Sequence, residues 1–139
     1  MDNYDYQFAA AYERAGAQGS AALQQKILAA YLDYMDDIVA YYEQQAQALL
    51  GRAMRHTLLL HASLLNAAAF DRLAARLTAR GYRFVSLQHA LQDPAYTRRD
   101  EYVGPAGITW LHRWALTEGK KGAFFAGEPV VPEWVLGIK

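Results

Sequence analysis

The segment between Ser20 and Gly51 has the pattern that most constrains how this chain can fold. Apolar side chains recur in it at roughly helical spacing, while acidic side chains occupy the other faces. The apolar positions are Leu23, Ile27, Tyr31, Tyr34, Ile38, Tyr41 and Leu49. Ser20 is suited to cap the start of a helix and Gly51 to end it. The sequence therefore predicts a long amphipathic helix here, preceded by a shorter helical stretch that contains Phe8 and Tyr12.

After this helix, short apolar runs alternate with further helical patterns. The run from His56 to His61 is interpreted as a buried strand, although periodicity alone does not exclude helix, and the run from Tyr82 to Val85 is a second strand candidate. Asn66 is predicted to cap a helix that ends at Gly81, and Ser86 to cap a short helix that ends before Asp93-Pro94. This alternation is typical of a parallel α/β sheet.

The later chain is less regular. A turn is predicted at Gly104-Pro105-Ala106-Gly107, a helix from Ile108 to Leu116, and an extended tail after it. Two strands are too few for a closed barrel or a protected sheet. The predicted fold is therefore part of a larger α/β domain, whose edge strands pair with something else.

Composition narrows the possible functions. The chain has 139 residues, 53% of them hydrophobic, which suits one domain with a real core. Fourteen basic and fourteen acidic residues give no net charge, which disfavours nucleic acid or an anionic membrane as a partner. No cysteine is present for disulfides or thiolate metal sites. The polar N-terminus is unlike a signal peptide, so the product is expected to be cytoplasmic if Met1 is the true start; otherwise its location is unknown.

Four segments, taken in order along the chain, resemble motifs of the NodB-type polysaccharide deacetylases, which are carbohydrate esterases of family 4. They are Asp2-Asn3-Tyr4-Asp5-Tyr6, Leu58-Leu59-Leu60-His61-Ala62, the stretch from Arg80 to Leu87, and the stretch from Tyr102 to Leu111. The resemblance covers nearly the whole chain. It implies a distorted (β/α) barrel, so that this chain, 1–139, is expected to be a single C-terminal fragment: a partial (β/α) barrel, rich in helix with few strands.

The resemblance also implies a reaction and a set of site residues. The family hydrolyses an N-acetyl or O-acetyl group on a sugar, with a divalent metal, usually zinc, that activates water. By position, His61 is expected to be the catalytic acid that protonates the leaving group, and Asp2 to orient it. Leu59 is expected to line the acetyl pocket, and Tyr6 to form part of the groove wall where the family often has Trp. Asp5 is expected to support the motif loop.

The metal-binding half of the family pattern is absent from this sequence. Neither the Thr-Phe-Asp-Asp-Gly motif nor a pair of histidines separated by three residues occurs. On a strand, His56 and His61 project to opposite faces, and His89 and His112 lie on separate predicted helices. The chain itself is therefore expected to hold no metal or other cofactor, and to be inactive alone, whereas the complete enzyme uses zinc or another divalent ion.

Several alternatives remain open at this point. His61 is either the ancestral catalytic acid or a hydrogen-bonded core histidine, and Asp2 and Asp5 also suit the cap and first turn of a helix. The tyrosines of the long helix are more typical of a core than of a sugar-stacking surface. A half-barrel must cover its open side, so a homo-oligomer is expected. The alternative function is a helical α/β oligomerisation or interaction module without catalysis, and a third is a hydrolase that a partner chain completes. The acetylated sugar is not specified.

Overall fold

The computed structural model describes residues 1–105 and 107–139, and the regular structure within these residues is helical. Six α-helices follow one another along this part of the chain: α1 (Asp5–Ala17), α2 (Ala21–Leu50), α3 (Leu64–Ala79), α4 (Leu87–Ala90), α5 (Trp110–Thr117) and α6 (Glu133–Leu136). Two 3-10 turns, Pro94–Thr97 and Gly122–Phe125, separate the later helices. Among the helices described, none is long and apolar enough to cross a membrane.

The predicted α/β fold, a partial (β/α) barrel, is wrong. Residues 1–105 and 107–139 contain no β-strand, and the runs from His56 to His61 and from Tyr82 to Val85 have no regular secondary structure. The predicted burial is wrong too, because every residue of these two runs is partly or largely exposed. The apolar character of such a run suits a strand, but a strand also needs a neighbour that pairs with its backbone. In the run from His56 to His61, side chains supply some of the hydrogen bonds that a neighbouring strand would make.

The contacts divide the chain into two compact units, each made of three stretches of sequence. The first consists of Met1–Asp2, Ile38–Leu58 and Phe84–Glu128. The second consists of Asn3–Asp37, Leu59–Arg83 and Pro129–Lys139. The long helix α2 contributes to both, because its first part belongs to the second unit and its last part to the first.

In the second unit, α1 packs against α3 and α6. The ring of Phe8 is fully buried and lies 5.5 Å from that of Tyr31 and 5.1 Å from that of Tyr34. The backbone of the apolar run is held by two side chains of this unit: Asn3 Nδ2 donates to the Leu59 carbonyl at 2.8 Å, and Asp5 accepts from the backbone N–H of His61 at 2.8 Å. These bonds take the place of a strand ladder.

In the first unit, the last turns of α2 pack near α5 and the Gly122–Phe125 turn. The hydroxyl of Tyr41 lies 3.2 Å from Nε2 of His112, and Gln45 Nε2 donates to the Phe124 carbonyl at 2.8 Å. Tyr41 and Tyr42 are both buried, as are Tyr31 and Tyr34 in the second unit, which confirms the prediction that these tyrosines belong to the core. The Trp114 ring is buried as well.

Most predicted helix ends are confirmed. Gly51 and Gly81 follow α2 and α3 with φ of 68° and 97°, a conformation that favours glycine. The side chain of Ser86 accepts from the backbone N–H of His89 at the start of α4. The prediction that Asn66 caps α3 is wrong, because Ser63 is the cap and accepts the Asn66 N–H at 3.1 Å.

The last part of the chain departs from its prediction in one respect. α5 starts at Trp110, after the cap Thr109, close to the predicted start at Ile108. The tail was expected to be extended, but it contains the Gly122–Phe125 turn and α6. The apolar side chain of Val135 is fully buried, and this burial explains why a short helix forms there. Ala106, in the predicted turn, lies outside the described residues.

Candidate functional site

His61 lies just before α3, with its backbone fixed and its ring partly open to solvent. Ring atom Nδ1 is 2.6 Å from Oδ1 of Asp5, and the backbone N–H donates to Oδ2 of the same carboxylate. The His61 side chain is 53% exposed, whereas that of Asp5 is 1% exposed. Ring atom Nε2 makes no hydrogen bond to any of the residues that the structure describes. His61 therefore presents one free ring nitrogen to solvent and anchors the other.

Asp5 is held in place by its position at the start of α1. It is the first residue of the helix, where the unpaired N–H groups and the helix dipole favour a negative charge. Its own backbone N–H donates to Oδ1 of Asn3 at 3.0 Å. Asp5 is thus both a first-turn acid, one of the alternatives left open by the sequence, and the partner of His61.

The hydrogen bonds to the Asp5 carboxylate assign the proton on the His61 ring. Oδ2 accepts from two N–H donors, the backbone of His61 and Nδ2 of Asn66 at 2.7 Å. A carboxylate that is ionised only accepts, so the proton between Oδ1 and the ring resides on Nδ1 of His61. In the neutral imidazole, Nε2 is then an acceptor; in the imidazolium, it becomes a proton donor that points to solvent.

Two of the other predicted site residues lie in the same unit as His61. The ring of Tyr6 is 50% exposed and meets the His61 ring edge-on, with centroids 6.0 Å apart. Leu59, two residues before His61, has its side chain exposed while its carbonyl is bonded to Asn3. The Tyr6 ring therefore lies beside the His61 ring, and Leu59 adds an exposed apolar side chain to the segment that leads to His61.

Sequence analysis paired His61 with Asp2, whereas in the structure the ring of His61 is paired with Asp5. Asp2 belongs to the first unit, where its charge acts on the nearby groups His112 and Glu128. The carboxylate hydrogen-bonded to His61 is that of Asp5. The two aspartates belong to the same five-residue motif. The one sequence signal that separates them is Asn3, which lies two residues before Asp5 and accepts its backbone N–H.

Asn66 is a site residue that sequence reasoning missed. Its Nδ2 group donates to Asp5 and also to the carbonyl of His61 at 2.8 Å. Asn66 is nearly buried, and its neighbour Leu65 on α3 is fully buried. The available signal was a polar side chain on the otherwise apolar buried face of α3, because such a group must find hydrogen-bond partners.

The described residues do not fit a metal centre. Residues 1–105 and 107–139 contain no group of three or more His, Asp or Glu side chains arranged to hold a metal ion. Asp5 and His61 supply only two candidate ligands, and Nδ1 of His61 is already committed to Asp5. The zinc that the family resemblance implies therefore has no ligand set of its own among these residues.

A second polar region surrounds a small cavity in the first unit, with room for about one water molecule. The cavity is lined by Met1, Tyr42, Met54, His56, Thr57, Tyr96, Thr109, Trp110 and Leu111. Burial lowers the pKa of His56 to about 4, so this imidazole is neutral at physiological pH. His56 and His61 differ in this way: His56 is a partly buried neutral base, whereas His61 has a ring nitrogen open to solvent.

Comparisons with known proteins yield no relative: no family model, no curated protein and no solved structure matches the chain.

Proposed function

We propose that this chain is the C-terminal, proton-donating portion of a metal-dependent polysaccharide deacetylase, with His61 as its general acid. The observation that carries the proposal is the geometry of His61, whose Nδ1 is bonded to a buried carboxylate while Nε2 is open to solvent. Buried structural histidines usually have both ring nitrogens engaged or enclosed, whereas a general acid needs one ring nitrogen within reach of a substrate.

The reaction divides into a step for water and a step for the leaving group. Water adds to the acetyl carbonyl carbon and forms a tetrahedral intermediate. This intermediate collapses when the bond between that carbon and the sugar nitrogen breaks. Nε2–H of the protonated His61 donates its proton to that nitrogen, so that an amine leaves and acetate remains. The carboxylate of Asp5 stabilises the imidazolium before the transfer and keeps the ring in one orientation. For an O-acetyl ester, the same proton goes to the sugar oxygen.

The proposal assigns the water step to residues outside this chain. The described residues contain no ligand set for a metal ion, and the family's metal and base motifs are absent from the sequence. The chain alone is therefore expected to be inactive. The exposed ring of Tyr6 and the exposed side chain of Leu59 suit a surface against which the sugar and its acetyl methyl group rest. This surface supports an acetylated polysaccharide of the chitooligosaccharide, peptidoglycan or xylan type as the substrate.

The test begins with the DNA upstream of the Met1 codon. An in-frame extension that encodes the Asp-Asp and paired-His motifs is expected, and the extended protein should release acetate from N-acetylglucosamine oligomers, peptidoglycan or acetylxylan in a metal-dependent manner. His61→Ala should lower that rate by about 100-fold or more, since a general acid contributes on this scale. His89→Ala, which removes an exposed histidine of α4, is the matched control. An extended enzyme whose activity survives His61→Ala, or a stop codon close upstream with its own ribosome-binding site, would overturn the proposal.

A second candidate function is a helical interaction module that self-associates. It is favoured by large apolar side chains that the second unit leaves exposed: Leu64 at 66%, Leu59 at 59% and Phe70 at 46%. Such side chains commonly mark surfaces that another protein covers. Sedimentation velocity on the isolated chain should show a dimer that Phe70→Glu disperses, with Arg72→Glu on the same helix as a control. A monomer at every concentration, together with metal-dependent activity of the extended protein, would reject this candidate.

A further inference from the structure

Asn66 occupies an unusual position, because one side chain contacts both halves of the Asp5–His61 pair. Its Nδ2 group donates to Oδ2 of Asp5 at 2.7 Å and to the carbonyl of His61 at 2.8 Å. A primary amide has two N–H donors, and both are used here. Asn66 therefore fixes the Asp5 carboxylate relative to the backbone of His61. The same carboxylate holds the ring of His61.

The other end of the Asn66 amide is fixed by Tyr31. The hydroxyl of Tyr31 donates to Oδ1 of Asn66 at 2.6 Å, and Tyr31 is fully buried on the first part of α2. Burial, and then the charge of Asp5, raise the pKa of Tyr31 well above its usual value, so the phenol stays protonated and acts as a donor. This donor determines which end of the amide is the oxygen, and hence that the nitrogen faces Asp5.

The four side chains form one connected set of hydrogen bonds that converges on the Asp5 carboxylate. Tyr31 donates to Asn66, Asn66 donates to Asp5, and His61 donates through Nδ1 to the remaining oxygen of Asp5. The series joins α2, α3, α1 and the segment before α3. If the amide of Asn66 were reversed, its oxygen would face both the Asp5 carboxylate and the His61 carbonyl, an arrangement of three acceptors without a proton.

We infer that Asn66 and Tyr31 are positioning residues that hold Asp5 so that His61 keeps its Nδ1–H form and presents Nε2 to the substrate. The inference rests on the proposed role of His61 as an acid and deepens it. Neither residue touches the substrate in this arrangement. Asn66 acts directly on Asp5, and Tyr31 acts on Asp5 through Asn66.

The test uses nitrogen-15 NMR of the histidine rings in the full 139-residue chain. The chain has four histidines, and the spectrum of His61→Gln identifies the signals of His61. At a pH where the ring is neutral, wild-type His61 is expected to be almost wholly in the Nδ1–H form, the opposite of free histidine. Asn66→Ala and Asn66→Asp should each lower the ratio of the Nδ1–H to the Nε2–H form by about tenfold. Tyr31→Phe should lower it by a smaller factor.

Tyr41→Phe is the matched control, since Tyr41 is another buried tyrosine of α2 that bonds to His112 instead. It should leave the His61 signals unchanged. If an Asn66 variant does not fold, as judged by circular dichroism, Tyr31→Phe still decides the question, because it removes one oxygen atom and leaves the ring. A His61 tautomer ratio unchanged in Tyr31→Phe and in every folded Asn66 variant would overturn the inference. These spectra need no enzyme activity, so an inactive extended protein with the expected spectra would reject the proposed function and leave the positioning role standing.

Discussion

Arg52 and Asp93 form a bidentate ion pair in the first unit, with Nη2 to Oδ1 at 2.6 Å and Nη1 to Oδ2 at 3.2 Å. The same carboxylate accepts the backbone N–H groups of Arg55 at 3.0 Å and Ala95 at 2.9 Å. Asp93 is nearly buried, while Arg52 is exposed. One carboxylate thus organises the chain just after α2 and the 3-10 turn at Pro94–Thr97.

Replacing Asp93 with Asn should lower the free energy of unfolding by about 2–4 kcal/mol. The amide keeps the shape, but it has one acceptor oxygen where the carboxylate has two, so buried N–H groups lose their partner. Urea unfolding followed by circular dichroism measures the change. Asp33→Asn is the control, because Asp33 is an exposed partner of Arg76 and should cost less than about 1 kcal/mol. Equal losses in the two variants would contradict this account of Asp93.

The same carboxylate should contribute to acid sensitivity. The hydrogen bonds from Arg52 hold the pKa of Asp93 well below its usual range. In the unfolded chain the carboxyl takes up a proton near its ordinary value of about 4, so its stabilising contribution is present above that pH and is lost as the pH falls below it. Urea midpoints measured from pH 6 down to pH 3 should fall less steeply below pH 4 in Asp93→Asn than in the wild type. Parallel curves would be evidence against the shift.

A second, higher pH window should belong to His56. Burial lowers the pKa of its imidazole to about 4, whereas the unfolded chain binds that proton near pH 6.5. Between these values the unfolded state holds more protons, so stability is fully present above pH 6.5 and declines as the pH falls toward 4, by an amount on the order of 1–3 kcal/mol. His56→Gln should flatten this part of the profile and His89→Gln should not. Burial also lowers the pKa of His112, so a smaller slope of the same sign should remain.

Asp5 and His61 should contribute unequally to stability although they are bonded to each other. Asp5→Asn replaces a buried acceptor of three N–H groups and should cost about 2–3 kcal/mol. His61→Ala removes a half-exposed ring and should cost about 1 kcal/mol or less. Chemical denaturation of both variants gives the comparison. A loss in His61→Ala that equals or exceeds the loss in Asp5→Asn would show that the ring is a structural element and would favour the core-histidine interpretation of this residue.

The start of α3 offers a local test of the corrected helix boundary. Ser63 has an extended backbone and its hydroxyl accepts the N–H of Asn66, so Ser63→Ala should lower stability by about 1 kcal/mol. Ser63→Asn is the control, since asparagine is an equally good cap and should restore most of the loss. Thermal melts of the two variants measure the difference. If the alanine variant has the same melting temperature as the wild type, Ser63 does not cap this helix.

The helices were largely predictable from sequence because their determinants are local. The apolar spacing from Leu23 to Leu49 and the glycines at positions 51 and 81 set the extents of α2 and α3 without reference to distant residues. The two predicted strands that the structure lacks depended instead on distant residues. The run from His56 to His61 has the apolar character of a strand, but whether it pairs depends on a partner elsewhere in the chain, and the described residues supply side chains in place of one.

The candidate site was predictable only in part for the same reason. His61 was found because its residue type and its apolar context are visible locally. Its carboxylate partner was assigned to Asp2 and is Asp5, since which of the two faces the ring depends on where α1 begins. Asn66 was interpreted as a helix cap because asparagine is common there, and its true partners are 61 and 5 residues away in sequence. Tyr31 gave no signal beyond its place on an apolar face.

The segment from Arg55 to His61 depends for its conformation on side chains from distant parts of the sequence. Its backbone is held by Asp93 and Tyr96 at one end and by Asn3 and Asp5 at the other, in separate units. A synthetic peptide of this sequence would carry none of those partners, and would populate many conformations. Grafted into another scaffold, the histidine would arrive without its orientation, because Asp5 and Asn66, which hold its ring and backbone, lie outside this segment of the sequence.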